Sequence, residues 1–318
     1  MLRRRIVLAA GLSLPELARA QGFPPRPVRI VVPFPAGGPT DAIARMVAQQ
    51  LEAAWSQSVV VDNRPGAGGS TGSAIVARAA PDGLTLLVTA NSHAINPSVL
   101  RNLPFDTVRD FTAICRLADA PFLLVAHPGL GARTLPEFVA AVRAKPGQLN
   151  YSSAGHGTGN HLTMERLKQA AGLDITHIPF NGAAPATTAL LSGQVQALVN
   201  NLVNSLPHIA EGKMVPIAIG SAERQAVLPD VVPFAENYPG FLSMNWYGAF
   251  GPAGMSTALV EQINGAMSRA VRMPVVAERL RAQGISPAGG PAEAFGREVT
   301  TEVAEWGRVT RAAGIQPE

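Results

Sequence analysis

The chain has 318 residues, of which 47% are hydrophobic and 15% charged. That composition excludes a disordered or low-complexity chain and fits a globular protein with core enough for two domains. The formal net charge of +4 is no sign of nucleic-acid binding, because the excess lies in residues 1–20.

Arg3, Arg4 and Arg5 precede an apolar run from Ile6 to Leu14, Pro15 breaks the run, and Ala18-Arg19-Ala20 offers small residues where a signal peptidase cuts. A basic segment, an apolar segment and an A-x-A site in that order mark a secretory signal. The apolar run is shorter than the roughly 20 residues that span a bilayer. Residues 1–20 are therefore read as an export signal, removed near Ala20. The arginines loosely resemble a twin-arginine signal. Without this segment 22 basic and 21 acidic residues remain, a net of +1. Cys115 is the only cysteine, so neither an internal disulfide nor a cysteine metal cluster can form. Its apolar neighbours predict a small buried hydrophobe.

The elements follow in order. Residues 28–32 are β-branched and short, as a buried strand requires. Pro33-Phe34-Pro35-Ala36-Gly37-Gly38 makes a rigid loop, and Pro39-Thr40-Asp41 opens a helix to residue 55. A strand over 59–63, a glycine loop over 64–70, a helix over 71–79 and a strand over 85–90 come next. The pattern restarts with a strand over 122–126, a helix over 135–144 and a strand over 149–153. A third glycine loop, Ala154-Gly155-His156-Gly157-Thr158-Gly159, then precedes a helix over 160–171. Strands are expected over 175–179, 194–200, 215–219 and 246–250, a helix over 184–191, and a helical tail over 257–312. Repeated strand, loop and helix predict an α/β fold with mixed, mostly parallel sheets flanked by helices. One lobe is placed at 22–121 plus 241–318 and the other at 122–240.

Three glycine loops each leave a strand and enter a helix. The first turn of a helix offers unpaired N–H groups and the positive end of its dipole, and glycine lets an anion come close. Such loops read either as an anion cradle or as tight turns. The loop at Gly66-Ala67-Gly68 lacks dinucleotide spacing because Thr71 stands where a third glycine belongs. No loop ends in the G-K-[ST] of a nucleotide site, and Ser152-Ser153-Ala154-Gly155-His156 lacks the G-x-S-x-G elbow of a hydrolase. His93, His127, His156, His161, His177 and His208 are scattered, and His156 and His161, five apart around a helix start, suit shared metal ligation poorly. His93 and His161 read as neutral hydrogen-bonding groups in packing or at a cleft rim. No catalytic residue, metal site or cofactor is expected. Asp41 reads as a ligand contact or a first-turn helix cap. Asn200 and Asn201 stand at a strand end, where ligands of open α/β sheets gather.

Several motifs together resemble one family. They are Ile30-Val31-Val32-Pro33-Phe34-Pro35-Ala36-Gly37-Gly38-Pro39-Thr40-Asp41, Val61-Asp62-Asn63-Arg64-Pro65-Gly66-Ala67-Gly68-Gly69, Ala80-Pro81-Asp82-Gly83 and Tyr151-Ser152-Ser153-Ala154-Gly155. Later come Gly193-Gln194-Val195, Pro207-His208-Ile209, Leu228-Pro229-Asp230 and Trp246-Tyr247-Gly248-Ala249-Phe250-Gly251-Pro252-Ala253-Gly254. Over essentially the whole mature chain, the sequence resembles the Bug-type periplasmic solute receptors of tripartite tricarboxylate transporters.

The resemblance implies a two-lobed periplasmic binding protein of the type II Venus-flytrap kind. It implies a small mono- or dicarboxylate held between the lobes by backbone N–H groups, hydroxyls and waters, and no enzymatic activity. First-lobe contacts would be Phe34, Ala36, Gly37, Gly38 and Asp41, with Asn91 and Ser92. Second-lobe contacts would be Ser153, Ala154, Gly155 and Thr158, with Asn181, Gly182 and Ala183, and Asn200 at the strand end. The chain departs from the family's habit at Gln196, Val199 and Asn200, where the family usually has an Asp, an aromatic and an Asp. It departs again at Phe180 and Asn181, where the family commonly has Tyr and Lys. The expected partners are membrane permease subunits, or a sensor kinase if the receptor signals, with the receptor itself monomeric. An exported α/β enzyme is the remaining alternative.

Overall fold

The computed structural model describes residues 23–180 and 182–317; the segment expected to be an export signal and Asn181 lie outside the described residues. β1 (Val28–Val32) is followed by α1 (Pro39–Trp55), β2 (Val59–Asn63), a 3-10 turn at Ala67–Gly69, α2 (Ser70–Ala77), β3 (Thr85–Ala90) and α3 (Ser92–Val99). β4 (Phe111–Ala126) leads to α4 (Leu135–Arg143), β5 (Asn150–Ser153), α5 (Gly159–Ala171), β6 (Thr176–Pro179), α6 (Ala183–Leu191) and β7 (Ala197–Asn201). The chain closes with α7 (Leu202–Ala210), β8 (Val215–Ile219), β9 (Met244–Pro252), α8 (Thr257–Arg272), α9 (Pro274–Arg281), β10 (Ser286–Pro287) and α10 (Ala292–Ala312).

The strands lie in the order β2-β1-β3-β9-β4-β7-β5-β6, with β8 and β10 also bonded to β4. β1 runs parallel to β2 and β3, and β5 runs parallel to β6 and β7. β9 is antiparallel to β3 and β4, and β4 is antiparallel to β7 and β8. Strand β4 therefore belongs to two sheets. Up to Pro121 it pairs with β9; from Phe122 it pairs with β7 and β8. Proline has no N–H to give a ladder, so it suits the point where a strand changes partners. Gly220 and Ser243 seal the changeover: each donates its backbone N–H, Gly220 to Phe122 O at 2.7 Å and Ser243 to Gly220 O at 2.8 Å. A Cβ on Gly220 would stand 1.9 Å from Ser243 O, so glycine is required there.

Both sheets are covered on both faces, which is why their strands read as continuous apolar runs. Successive strand side chains alternate. Ile30 and Val32 join a core with Val47, Leu86 and Ile263, whereas Val31 joins Leu87, Trp246 and Phe250 on the other face. In the second sheet Leu124 packs with Phe138 and Tyr151, whereas Leu123 and Val125 pack with Leu190 and Leu202.

Several elements differ from expectation. The tail is three helices, α8, α9 and α10, divided at Pro274 and at the short strand β10. α3 and α7 form although each contains a proline, Pro97 and Pro207. In α3 the carbonyl four residues back from Pro97 is that of His93, and it accepts a hydrogen bond from Thr107 Oγ1 at 3.2 Å. The bond that proline cannot make is thereby replaced. Cys115 is buried in the first core, as expected, and burial pushes its thiol up to about 11.

Candidate functional site

The two halves meet where β3, α5, β7 and β9 begin or end. Asn91, just past the end of β3, donates its backbone N–H to Asn245 Oδ1 at 3.4 Å and donates through Nδ2 to Met244 O at 3.3 Å. Asn245 Nδ2 in turn reaches Asn201 Oδ1, at the end of β7, at 3.4 Å. A Cβ on Gly159, at the start of α5, would stand 3.2 Å from Asn91 Nδ2 and 2.7 Å from the Phe122 ring. A Cβ on Gly157 would stand 2.6 Å from Val99 Cβ. The glycines are thus what let the second-half loop approach α3.

The Phe34–Gly38 loop connects to this junction through the second glycine loop. A Cβ on Gly69 would meet the Phe34 ring at 3.4 Å, and Asn96 of α3 donates through Nδ2 to Gly68 O at 3.2 Å. Asp41 holds the loop from below. Its Oδ2 accepts the Gly37 N–H at 2.9 Å and Arg45 Nε at 3.0 Å, and its Oδ1 accepts Asn63 Nδ2 at 3.0 Å. Burial raises the Asp41 carboxyl, but bonds from Arg45, Gly37 and Asn63 outweigh it and leave it below the ordinary carboxylate range. Three donors at one carboxylate make Asp41 a fixed support of the loop.

On the other side, Ser153 Oγ donates to Gly155 O at 2.9 Å and lies 2.7 Å from His177 Nε2. Thr158 Oγ1 donates to Gly155 O at 2.8 Å and caps α5 by accepting His161 N–H at 3.4 Å. Gly182 donates its N–H to Ala154 O at 3.0 Å, which ties the α6 start to the same loop, and Ala183 is the first residue of α6. Asn200 is not brought to the junction. It is fully buried, donates to Thr187 Oγ1 at 3.3 Å and accepts Asn201 N–H at 2.9 Å. Its neighbour Asn201 faces Asn245 instead, because adjacent strand residues point to opposite faces. Asn181 lies outside the described residues.

The remaining hydrogen-bonding capacity is informative. Among the described residues no side chain caps the starts of α1 at Gly38, α3 at Asn91, α6 at Gly182 or α7 at Asn201. Thr134, Ser256 and Thr158 cap α4, α8 and α5, whereas α9 and α10 also start without a side-chain cap, so the missing caps alone do not mark the junction. Ser92 Oγ, in the first turn of α3, is buried and has no hydrogen-bond partner among the described residues. A buried hydroxyl without a partner costs about 1–3 kcal/mol unless something fills it. Beside an uncapped helix start, the fitting occupant is an anion's oxygen.

Three of the histidines are not scattered. The parallel pairing of β5 with β6 sets Tyr151 against His177, and α5 carries His161 past the same spot. One ring nitrogen from each of His156, His161 and His177 falls within 4.8 Å of the others. The sequence signal missed was His177, which only the sheet register brings in. His161 accepts the Gly157 N–H at 3.0 Å, but His93 makes no hydrogen bond among the described residues. His93 packs among Phe105, Phe111 and Phe250, and burial pushes it down to about 3. A cavity of about 980 Å³ lies elsewhere, against Thr107, Phe111, Phe250, Asn264 and Thr300, and holds none of the expected contacts.

The described residues include no helix long and apolar enough to cross a membrane. The sequence profile of the tripartite tricarboxylate transporter family receptor matches residues 43–315. Protein BugT of Bordetella pertussis is 32% identical over 313 residues, covering 98% of this chain and 95% of its own. The structure of R. palustris Rpa4515 with adipate superposes with a TM-score of 0.84 at 32% identity, over 93% of this chain and 100% of that one. MatC from Rhodopseudomonas palustris with bound malate gives 0.79 at 34% identity, over 90% and 99%. The two halves on a shared strand are accordingly the two lobes of a periplasmic binding protein, and the chain belongs to the tripartite tricarboxylate transporter receptor family.

Proposed function

We propose that this protein captures a small organic mono- or dicarboxylate between its lobes in the periplasm and delivers it to the membrane permease subunits of a tripartite tricarboxylate-type transporter. It acts as a monomeric receptor, without cofactor or catalysis. The observation that carries the reading is the buried Ser92 hydroxyl, without a hydrogen-bond partner among the described residues, beside the uncapped start of α3 at the lobe junction. The adipate and malate in the structures of two relatives, both dicarboxylates, supply the ligand class. Lobe one is assigned to 22–121 plus 241–318 and lobe two to 122–240, in keeping with the change of sheet between Pro121 and Phe122. The export signal ends near Ala20.

The assigned contacts fall into two groups. Ala36 and Gly38 of lobe one and Ala154 and Gly155 of lobe two offer backbone groups at the loops; Phe34 shapes the first loop, and Asn91 and Ser92 add polar side chains. Gly37, Asp41, Ser153, Thr158, Gly182 and Ala183 hold those loops in place through the bonds and helix starts described above, and Asn181 adjoins them. Asn200 acts through the β7–α6 packing. Isothermal titration of the mature protein with adipate, malate and a panel of other organic acids tests this. A ligand that binds with a heat-stable rise in melting temperature is expected. If no carboxylate in the panel binds, the reading is lost.

A further inference from the structure

The histidine cluster of lobe two has a use that carboxylate capture does not require. His156 is exposed in the loop between Gly155 and Gly157, His161 is buried in the first turn of α5, and His177 is half-buried on β6. The rings of His161 and His177 stack at 3.9 Å with 11° between their planes, and His156 lies 4.9 Å from His161. We propose that His156, His161 and His177 form a binding site for a divalent transition metal of borderline softness, the zinc, nickel and copper class, set on the flank of the lobe-two glycine loop.

The hydrogen bonds around the rings fix where the lone pairs lie, and that of His161 is held by a backbone N–H that a metal would have to replace. The Gly157 N–H donates to His161 Nδ1, so in the neutral ring Nδ1 carries the lone pair and Nε2 the proton. Ser153 Oγ donates to Gly155 O, so it accepts from His177 Nε2–H and leaves Nδ1 of His177 with the lone pair.

A carboxylate completes the set. Glu165 Oε1 stands 3.9 Å from His161 Nε2, and Tyr151 OH and Lys168 Nζ donate to it at 2.6 Å and 2.7 Å. A carboxylate on the far nitrogen of a ligating imidazole is the common outer support of such sites, and here it also offsets the Lys168 charge. Nitrogens bound to one zinc stand about 3.3 Å apart, given bonds of about 2.0–2.1 Å. The three nitrogens must close in from 4.8 Å, and the stacked His161 and His177 rings must turn apart so that both in-plane lone pairs aim at one ion; His156 is the ring freest to move. The residues on either side of it, Gly155 and Gly157, have φ of +143° and +68°, and the ring is exposed. Closure would exchange the Gly157 N–H for the metal at His161 Nδ1 and so draw in the loop that adjoins the lobe junction.

The test uses untagged mature protein, chelator-treated, titrated with Zn²⁺ and with Ni²⁺ by calorimetry, alongside His156→Ala and His177→Gln. His156 is exposed, so His156→Ala should fold with an unchanged melting temperature in chelator. The expected result is one equivalent of metal in the wild type, a metal-dependent rise in melting temperature, and at least a tenfold loss of affinity in both variants. Cobalt substitution should add the visible absorption of a histidine-bound ion. Failure of the wild type to bind, or equal affinity in wild type and His156→Ala, overturns the site. Equal affinity in His127→Ala and His208→Ala controls is expected, and loss there instead assigns the metal to surface histidines. Binding is read without any carboxylate present, so the result stands apart from the receptor reading.

Discussion

Gly37 donates its backbone N–H to Asp41 Oδ2 across 2.9 Å, and that bond joins the apex of the first glycine loop to the helix that follows it. The side chain of Asp41 is almost wholly buried while its partner Arg45 is more than half exposed. Removing the acid takes the shared acceptor from Gly37, Arg45 and Asn63 and frees the loop, whereas removing the arginine leaves a carboxylate that Gly37 and Asn63 still satisfy. Asp41→Ala should therefore destabilise the protein by about 2–3 kcal/mol and weaken carboxylate binding, and Arg45→Ala should cost less than about 1 kcal/mol. Urea unfolding of the two variants checks the ordering.

The loops should respond to backbone freedom more than to bulk. Gly37 has a φ of +83° and open space where a Cβ would go. Gly155 has a φ of +143°, and its Cβ would touch Phe180 O and Thr158 Cγ2 only at 3.6 Å. Gly37→Val and Gly155→Val should each lower carboxylate affinity at least about tenfold, since β-branched residues resist positive φ. Gly37→Asn should retain more, because asparagine tolerates the left-handed region. Titration calorimetry separates the three.

His93 stands among three phenylalanines with both ring nitrogens lacking partners among the described residues. His93→Leu should raise stability near pH 7 by about 1 kcal/mol or more, because an unsatisfied polar ring gives way to an apolar side chain. The folded protein keeps this ring neutral down to about pH 3, against an ordinary value of 6.5. Below pH 6.5 the unfolded chain binds the extra proton, so wild-type stability falls as pH drops through that window. The variant's decline should be shallower, as unfolding at pH 7.5, 6 and 5 will show.

Glu302 gives the opposite slope. It lies in α10 and accepts the Trp246 indole N–H at 2.8 Å. Burial pushes it up to about 7 from 4.5; the Trp246 bond and Arg116 act downward, and the Glu298 charge acts upward. Between those values the folded state holds the extra proton, so stability falls as pH rises through about 4.5–7. Glu302→Gln keeps an acceptor for Trp246 and loses the titration. It should match wild type near pH 5 and exceed it by about 2 kcal/mol at pH 8.

Much of the fold was legible because proline and glycine punctuate it. Pro33 and Gly38 bracket the first loop, and β1, α1, β2 and β3 fall where the apolar runs put them. α3 and α7 were hidden because each carries a proline, and whether a distant hydroxyl such as Thr107 will take over the orphaned carbonyl is a tertiary fact. The strand end at 200–201 was visible as a place, but alternation alone does not tell which asparagine faces the other lobe. Asn245 was invisible as a partner for the same reason: it lies 44 positions from Asn201 and meets it only through β9. The three histidines converge through the register of β5 against β6, which no local spacing encodes.

The changeover of β4 at Pro121 bears on the order in which the chain takes shape. The second sheet is complete once β8 has been made, since β5, β6, β7 and the far part of β4 all precede it. The first sheet must wait for β9, which stands between β3 and β4 and pairs Leu87 with Phe250. The later-starting half can thus mature as one contiguous stretch, while the earlier-starting half stays open, its β3 edge exposed, until the chain returns. Such a split unit has the long-range closure that slows folding.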